Sequence, residues 1–182
     1  MKSLSILIPS VISRMLYLRK IIELIYNQRV FELNKIEILI NVDDCISPIG
    51  KKRNDLLNAA TGKYIVFIDD DDEISDDYLE QIFKGIDKDV DHIGITMLFS
   101  PDIGVKKLVK CSKNNIWEER DNIYYRSAQH VCPIRATIAK QVKYPEINFG
   151  EDKEYSLQIN KLIQTEYLID KPIYIYKYRT NK

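Results

Sequence analysis

Three short apolar runs, at residues 4–9, 36–42 and 64–68, alternate with stretches of helical spacing at 15–30, at 51–61 and from Ser75 to about residue 86. Runs this short and this apolar suit buried strands, and the repeat of strand then helix predicts a parallel sheet with right-handed crossovers. In the first helical stretch Leu16, Ile21, Leu24 and Ile25 are expected to share the buried face. Gly62 is expected just past the end of the second helix as its C′ residue. Ser75 suits the N-cap of the third, with Asp76 and Asp77 in its first turn. The second half is less regular: a strand over 91–99, a turn at 101–104 and a strand over 105–110 pairing back as a hairpin. Residues 111–132 carry weak signals. Pro133 opens a short helix to about residue 141, Gly150 precedes a helix over 151–164, and short strands follow at 167–170 and 173–178. The expected fold is α/β, a mostly parallel central sheet flanked by helices with a small antiparallel element in the second half. No repeat, linker or low-complexity segment breaks residues 1–182, so one domain is expected.

Sheets of this kind bind ligands beyond the carboxyl ends of their strands. Two acidic clusters fall at such ends: Asp43 with Asp44, and Asp69, Asp70, Asp71 and Asp72 followed by Glu73. Five acids in a row repel one another and raise each other's pKa unless a cation neutralises them. Hard carboxylate oxygens suit Mg²⁺ or Mn²⁺, commonly bound by one or two carboxylates together with substrate phosphates. The plain alternative is a solvated acidic loop that favours the N-terminus of the next helix. Lys51, Lys52 and Arg53 bring positive charge near any polyanionic ligand, although Lys51 and Lys52 also fit a solvated helix start.

Four segments carry a resemblance: SILIPS at 5–10, EILINVDDC at 37–45, KRNDLLNAATGKYIVFIDDDDEI at 52–74 and FGEDKEYS at 149–156. In this order and spacing the chain resembles family 2 glycosyltransferases, over residues 3 to about 160. The resemblance implies the GT-A fold, a nucleotide-sugar-binding half at 1–98 and an acceptor-binding half at 99–182. It implies a nucleotide-sugar donor, a UDP-sugar first, a glycan or other hydroxyl acceptor, and Mn²⁺ or Mg²⁺. Asp69 and Asp71 match the acids of the family's DxD motif, Asp71 touching the metal and Asp69 the ribose or metal; Asp70 lies between them and Asp72 matches an additional acid. Asp44 matches the acid that reads the nucleotide base, Pro9 and Ser10 the loop lining the base pocket, and Arg53 with Asn54 the pair that brings Arg53 near the base. Asp152 matches the general base of an inverting transfer, and Glu151 could position the acceptor. His130 falls in a segment on the acceptor side of related enzymes. Trp117 could stack on a sugar. Some GT-A enzymes complete the metal shell with a late His; here His92 and His130 both precede Asp152, and His92 reads as structural.

The 27 basic and 27 acidic residues cancel, which argues against a chain that wraps nucleic acid. Cys45, Cys111 and Cys132 are odd in number and irregular in spacing, unlike a disulfide framework or a zinc site, so a reducing compartment is expected. The first nine residues are too short an apolar run for a signal-peptide core, and no stretch approaches the roughly 20 apolar residues of a membrane span. A cytoplasmic protein is expected, with peripheral membrane contact left open. A nucleotidyltransferase would want a Gly-rich loop after the first strand, and residues 9–19 contain no Gly. A non-catalytic sugar-binding relative would have lost the acids, which are present.

Overall fold

The computed structural model describes residues 2–179. Its parallel core comes from the three apolar runs: β1 (Leu4–Val11) lies between β2 (Ile36–Asp43) and β3 (Tyr64–Phe67) and pairs in parallel with both. A strand so placed is covered on both faces, which is why it is apolar almost throughout. Its side chains alternate: Leu4, Ile6 and Ile8 enter the core under α1 (Met15–Tyr26) and α3 (Tyr78–Ile86), and Leu7 enters the other, under α2 (Ile49–Ala59) and α5 (Glu151–Ile159). The buried face of α1 is Leu18, Ile21 and Ile25, whereas Leu16 is 83% exposed. At about 100° per residue Leu16 stands far from the 18–21–25 row; of the expected face Ile21 and Ile25 are buried and Leu24 packs partly against the core, so Leu16 alone is misplaced.

Two local expectations change. Gly62 is not a left-handed helix terminus: α2 ends in extended backbone at Ala60, and a Cβ on Gly62 would meet the Ser5 amide nitrogen at 2.6 Å. The residue is needed for close approach, and its N–H donates to Ser5 Oγ at 2.8 Å. Ser75 does not cap α3 either; its hydroxyl donates to Asp77 Oδ1 at 2.9 Å, and the helix begins at Tyr78.

Beyond β3 the sheet is mixed. The two-residue β9 (Ile134–Arg135) bridges β3 and β5 (His92–Pro101), antiparallel to each, and β6 (Lys107–Cys111) returns antiparallel to β5 as expected. Pro133 therefore introduces a strand, and α4 (Ala136–Ala139) is a single turn. The weakly patterned segment holds a hairpin, β7 (Glu118–Arg120) and β8 (Ile123–Arg126), with β8 parallel to β6. Its turn residues Asp121 and Asn122 both have positive φ, 53° and 61°, as a tight hairpin connection demands. The two final strands are one, β10 (Glu166–Tyr178), parallel to β5 and irregular around Pro172, which lacks the N–H a ladder needs. β10 also pairs with β4 (Glu73–Ile74), just behind the acidic run. That pairing, absent from the sequence reading, places the last strand against the site.

Candidate active site

A cavity of about 850 Å³ opens beyond the carboxyl ends of β1 and β3. Pro9 and Ser10 line it from β1, Asp69 to Asp72 from β3, Arg53 from α2, His130 from the loop before β9, and Glu151 and Asp152 from the start of α5. These ten residues expected at the site therefore converge within one cavity. Asp44 does not join them: it is exposed and stands outside the cavity lining. Its neighbour Asp43 is the structured acid, accepting the Ser47 N–H at 2.7 Å and pairing with Lys52.

Each aspartate of the cluster meets its own set of partners, with Arg14 shared by Asp70 and Asp71. Asp69 accepts from Arg53 Nη2 at 3.0 Å and contacts His130 Nε2 at 3.3 Å. Burial pushes its pKa up, but the charges of Arg53 and His130 outweigh that and hold it well below the usual carboxylate range. Asp70 accepts from Ser10 Oγ at 2.6 Å and pairs with Arg14 at 2.7 Å; burial still raises its pKa. Asp71 pairs with Arg14 and, at 3.1 Å, with Arg179. Asp72 accepts from Tyr174 Oη at 2.7 Å and from the Lys177 N–H at 2.8 Å, and burial followed by the Asp69 charge pushes its pKa well up. These buried carboxylates, at 2–7% exposure for Asp70, Asp71 and Asp72, are not a solvated loop.

Lys52 corrects the expectation of a solvated helix start: it is 2% exposed and donates to the Ser10 carbonyl at 2.7 Å. Lys51 is the more accessible one, half-buried and paired with Asp55 at 2.9 Å. Arg53 bridges Asp69 to Glu151, reaching Glu151 at 3.2 Å, and lies over the Phe67 ring at 5.1 Å. Asn54 closes a reciprocal pair with the Tyr144 backbone, at 2.9 and 2.8 Å. Glu151 is 5% exposed and committed to Arg53, while Asp152 stays accessible, one oxygen accepting the Lys153 N–H at 2.8 Å. Gly150, at φ 84°, gives the sharp entry that sends the pair into the cavity. His92 is buried in the core beside Glu166, structural as expected.

Sequence reasoning missed Arg14, Arg179 and Tyr174. Arg14 follows the flagged Pro9–Ser10 loop by one turn, a signal that could have found it; Arg179 and Tyr174 had none, since β10 reaches the cluster only through tertiary pairing.

The chemistry of the donor set fits Mg²⁺ or Mn²⁺, since Asp69 and Asp71 offer hard oxygens on the cavity wall. Among the described residues no three His, Cys, Asp or Glu side chains form a ready-made cage, so phosphate and water oxygens would have to complete the shell.

The sequence profile of glycosyl transferase family 2 matches residues 49–143, more than half of the 182. The chain belongs to glycosyl transferase family 2. No curated protein matches it by sequence similarity. Among solved structures, the family 2 chain is similar in fold to S. aureus TarS 1–349 in complex with UDP-GlcNAc, with TM-score 0.76 and 17% identity over 99% of this chain and 60% of that one. Another structure of S. aureus TarS gives TM-score 0.73 and 17% identity over 96% and 36%. The mannosyltransferase PcManGT from Pyrobaculum calidifontis, in complex with GDP-Man and Mn²⁺, gives TM-score 0.62 and 10% identity over 94% and 56%. At these identities the likeness shows the fold, which is the GT-A arrangement of a mixed sheet flanked by helices. The family 2 chain spans 36–60% of the length of these TarS structures. Among its described residues no helix is long and apolar enough to cross a membrane.

Proposed function

We propose that the protein transfers a sugar from a nucleotide-sugar donor, a UDP-sugar first, to a hydroxyl of a glycan or similar acceptor, with inversion and with Mn²⁺ or Mg²⁺. The observation that carries this reading is that the acids behind β3 and the Glu151–Asp152 pair line the same cavity. Asp71 and Asp69 would hold the cation together with the donor's diphosphate, and the cation when bound neutralises charge on the leaving group. Pro9, Ser10, Asp70 and Arg53 line the donor end; Asp44, outside the lining, is not assigned the base. The acceptor side falls to Asp152, with His130 between the two ends. Asp152 takes the role of general base over Glu151 because Glu151 is buried and already paired with Arg53. Removing the acceptor's proton as its oxygen attacks the anomeric carbon, opposite the departing diphosphate, gives a single displacement with inversion. Family membership favours this chemistry over nucleotidyl transfer. The unpaired Cys45, Cys111 and Cys132 suit work in the cytoplasm.

The test is Asp152→Asn, which keeps shape and removes the basic lone pairs. Transfer should fall by a factor of about 10² to 10⁴ while donor affinity stays within about twofold. Near-normal transfer, or a product that retains the donor's anomeric configuration by NMR, removes Asp152 as the base. Failure of any nucleotide sugar to bind removes the reading itself.

A further inference from the structure

Four lysine or arginine side chains line the cavity: Arg14, Lys52, Arg53 and Arg126. The first three are neutralised by carboxylates, Arg14 by Asp70 and Asp71, Lys52 by Asp43, and Arg53 by Asp69 and Glu151. Arg126, at the end of β8, pairs with no carboxylate among the described residues. Its Nη1 donates to the carbonyls of Glu118 and Tyr125, at 3.1 and 2.7 Å, which fixes the guanidinium and, among the described residues, leaves the Nε and Nη2 donors unused. The group is also held flat, its Cζ 4.9 Å from the ring centroid of Trp117 and 4.9 Å from that of Tyr124. Both rings line the cavity. Trp117 is anchored in turn by its indole N–H to Ser127 Oγ at 2.9 Å. A guanidinium stacked and fixed in this way has little freedom left to lose when an anion arrives, and its open fork matches a carboxylate or phosphate.

The sheet order sets this site apart from the acidic cluster. Between β3, which carries the acidic cluster, and β8 lie β9, β5 and β6. Four strand spacings of about 4.8 Å make a path of roughly 19 Å along the sheet from that cluster to β8. Arg126 stands instead with Lys153, whose ammonium lies 5.6 Å from the Trp117 centroid and which directly follows Asp152.

Resting on the transferase reading, we infer that Arg126, clamped between Trp117 and Tyr124, is an anion receptor in the acceptor half of the cavity, and that the acceptor is an acidic saccharide bearing a phosphate or a carboxylate. Trp117 supplies the surface against which the sugar lies and Arg126 reads its charge.

The probes are glucose, glucuronate and glucose 6-phosphate, titrated by calorimetry or NMR into the unmodified protein and into Arg126→Gln and Arg126→Lys, with UDP titrated separately. One or both acidic sugars should bind about ten- to a hundredfold tighter than glucose, the range expected for a hydrogen bond to a charged group; which of them does so identifies the anion. Arg126→Gln should reduce that ligand to the glucose level, Arg126→Lys should recover only part of the preference, and UDP affinity should not change in either variant. Equal binding of all three sugars to the unmodified protein overturns the inference, as does a preference that survives in Arg126→Gln. A loss of UDP affinity in Arg126→Gln overturns it too, because the anion read would then be the donor's. UDP binding with no charge preference leaves the transferase reading standing while this inference falls.

Discussion

Asp69 and Asp72 lie one helical turn apart in sequence and sit at opposite ends of the carboxylate range. Asp69 has the Arg53 guanidinium and the His130 ring as neighbours, the Arg53 charge foremost, and is held low against its burial. Asp72 has only neutral donors, the Tyr174 hydroxyl and the Lys177 amide, so burial and the nearby Asp69 charge push it up. The signs for stability follow from linkage. A depressed folded pKa means that Asp69 contributes stability above the unfolded value near 3.9, lost as pH falls through the folded one. A raised folded pKa means the reverse for Asp72: relative to acid conditions it costs stability as pH rises above about 3.9, and the cost is complete above its folded pKa. Asp72→Asn keeps the Lys177 N–H bond through its carbonyl and reverses the Tyr174 contact, its amide donating to an oxygen that also accepts the Asp69 N–H. It should therefore raise the melting temperature at pH 7, by a few degrees for each kcal/mol or so recovered, and the gain should vanish below about pH 4. Melting curves of both proteins across pH 3–8 check this; a variant less stable than the parent at pH 7 would mean that the ionised carboxylate is favoured by its surroundings.

At the scale of elements, α2 fastens the two halves together. Gly50 N–H donates to the Ile147 carbonyl at 3.2 Å, Ile49 N–H to Asn148 Oδ1 at 3.1 Å, and Asn54 grips the Tyr144 backbone. The helix surface is so close to the 145–149 loop that a Cβ on Gly50 would come 1.8 Å from the Pro145 carbonyl oxygen. Gly50→Ala should cost about 1–3 kcal/mol through overpacking against backbone. It should also displace the loop that leads to Asp152, so transfer should fall further than the loss of folded protein explains, measured as kcat on material shown to be folded by circular dichroism. What the sequence made legible divides along the same lines. The apolar runs of β1, β2 and β3 were readable because strands covered on both faces must be apolar, and the acids beyond them because a carboxyl end of such a sheet is where ligands go. The β7–β8 hairpin was not, since Glu118, Glu119 and Arg120 lie on an edge where one side meets water and no alternation is imposed. Of the site, Ser10, Arg53, the four aspartates and Asp152 were legible through the motifs that hold them. The partners Arg179 and Tyr174 were not, because an ion pair or hydrogen bond that spans about a hundred residues leaves no local pattern.

Across the whole molecule the tie between β5 and β10 carries a pH dependence. His92 and Glu166 face each other in the strand register, with Nδ1 2.8 Å from Oε1, and Glu166 also accepts from Ser112 Oγ at 2.8 Å and the Lys113 N–H at 2.7 Å. Burial pushes the His92 pKa down, but Cys132 and Glu166 outweigh it and raise it to about 9. A folded pKa above the unfolded 6.5 means that this stability is complete below pH 6.5 and lost as pH rises through about 9. The urea midpoint should fall over that window, and His92→Gln, less stable at pH 6, should show a flatter profile; parallel profiles would assign the slope to other groups. β10 has a second consequence, in the time domain. The hydroxyl that satisfies Asp72 comes from Tyr174, 102 residues later, and the guanidinium that meets Asp71 comes from Arg179, 108 residues later. At ribosomal rates of about 5–20 residues per second, each new molecule holds four adjacent aspartates without these partners for roughly 5–20 s. During that interval Asp71 and Asp72 lack the donors that arrive last, whereas Ser10, Arg14 and Arg53, which meet Asp69 and Asp70, precede the cluster and are already made.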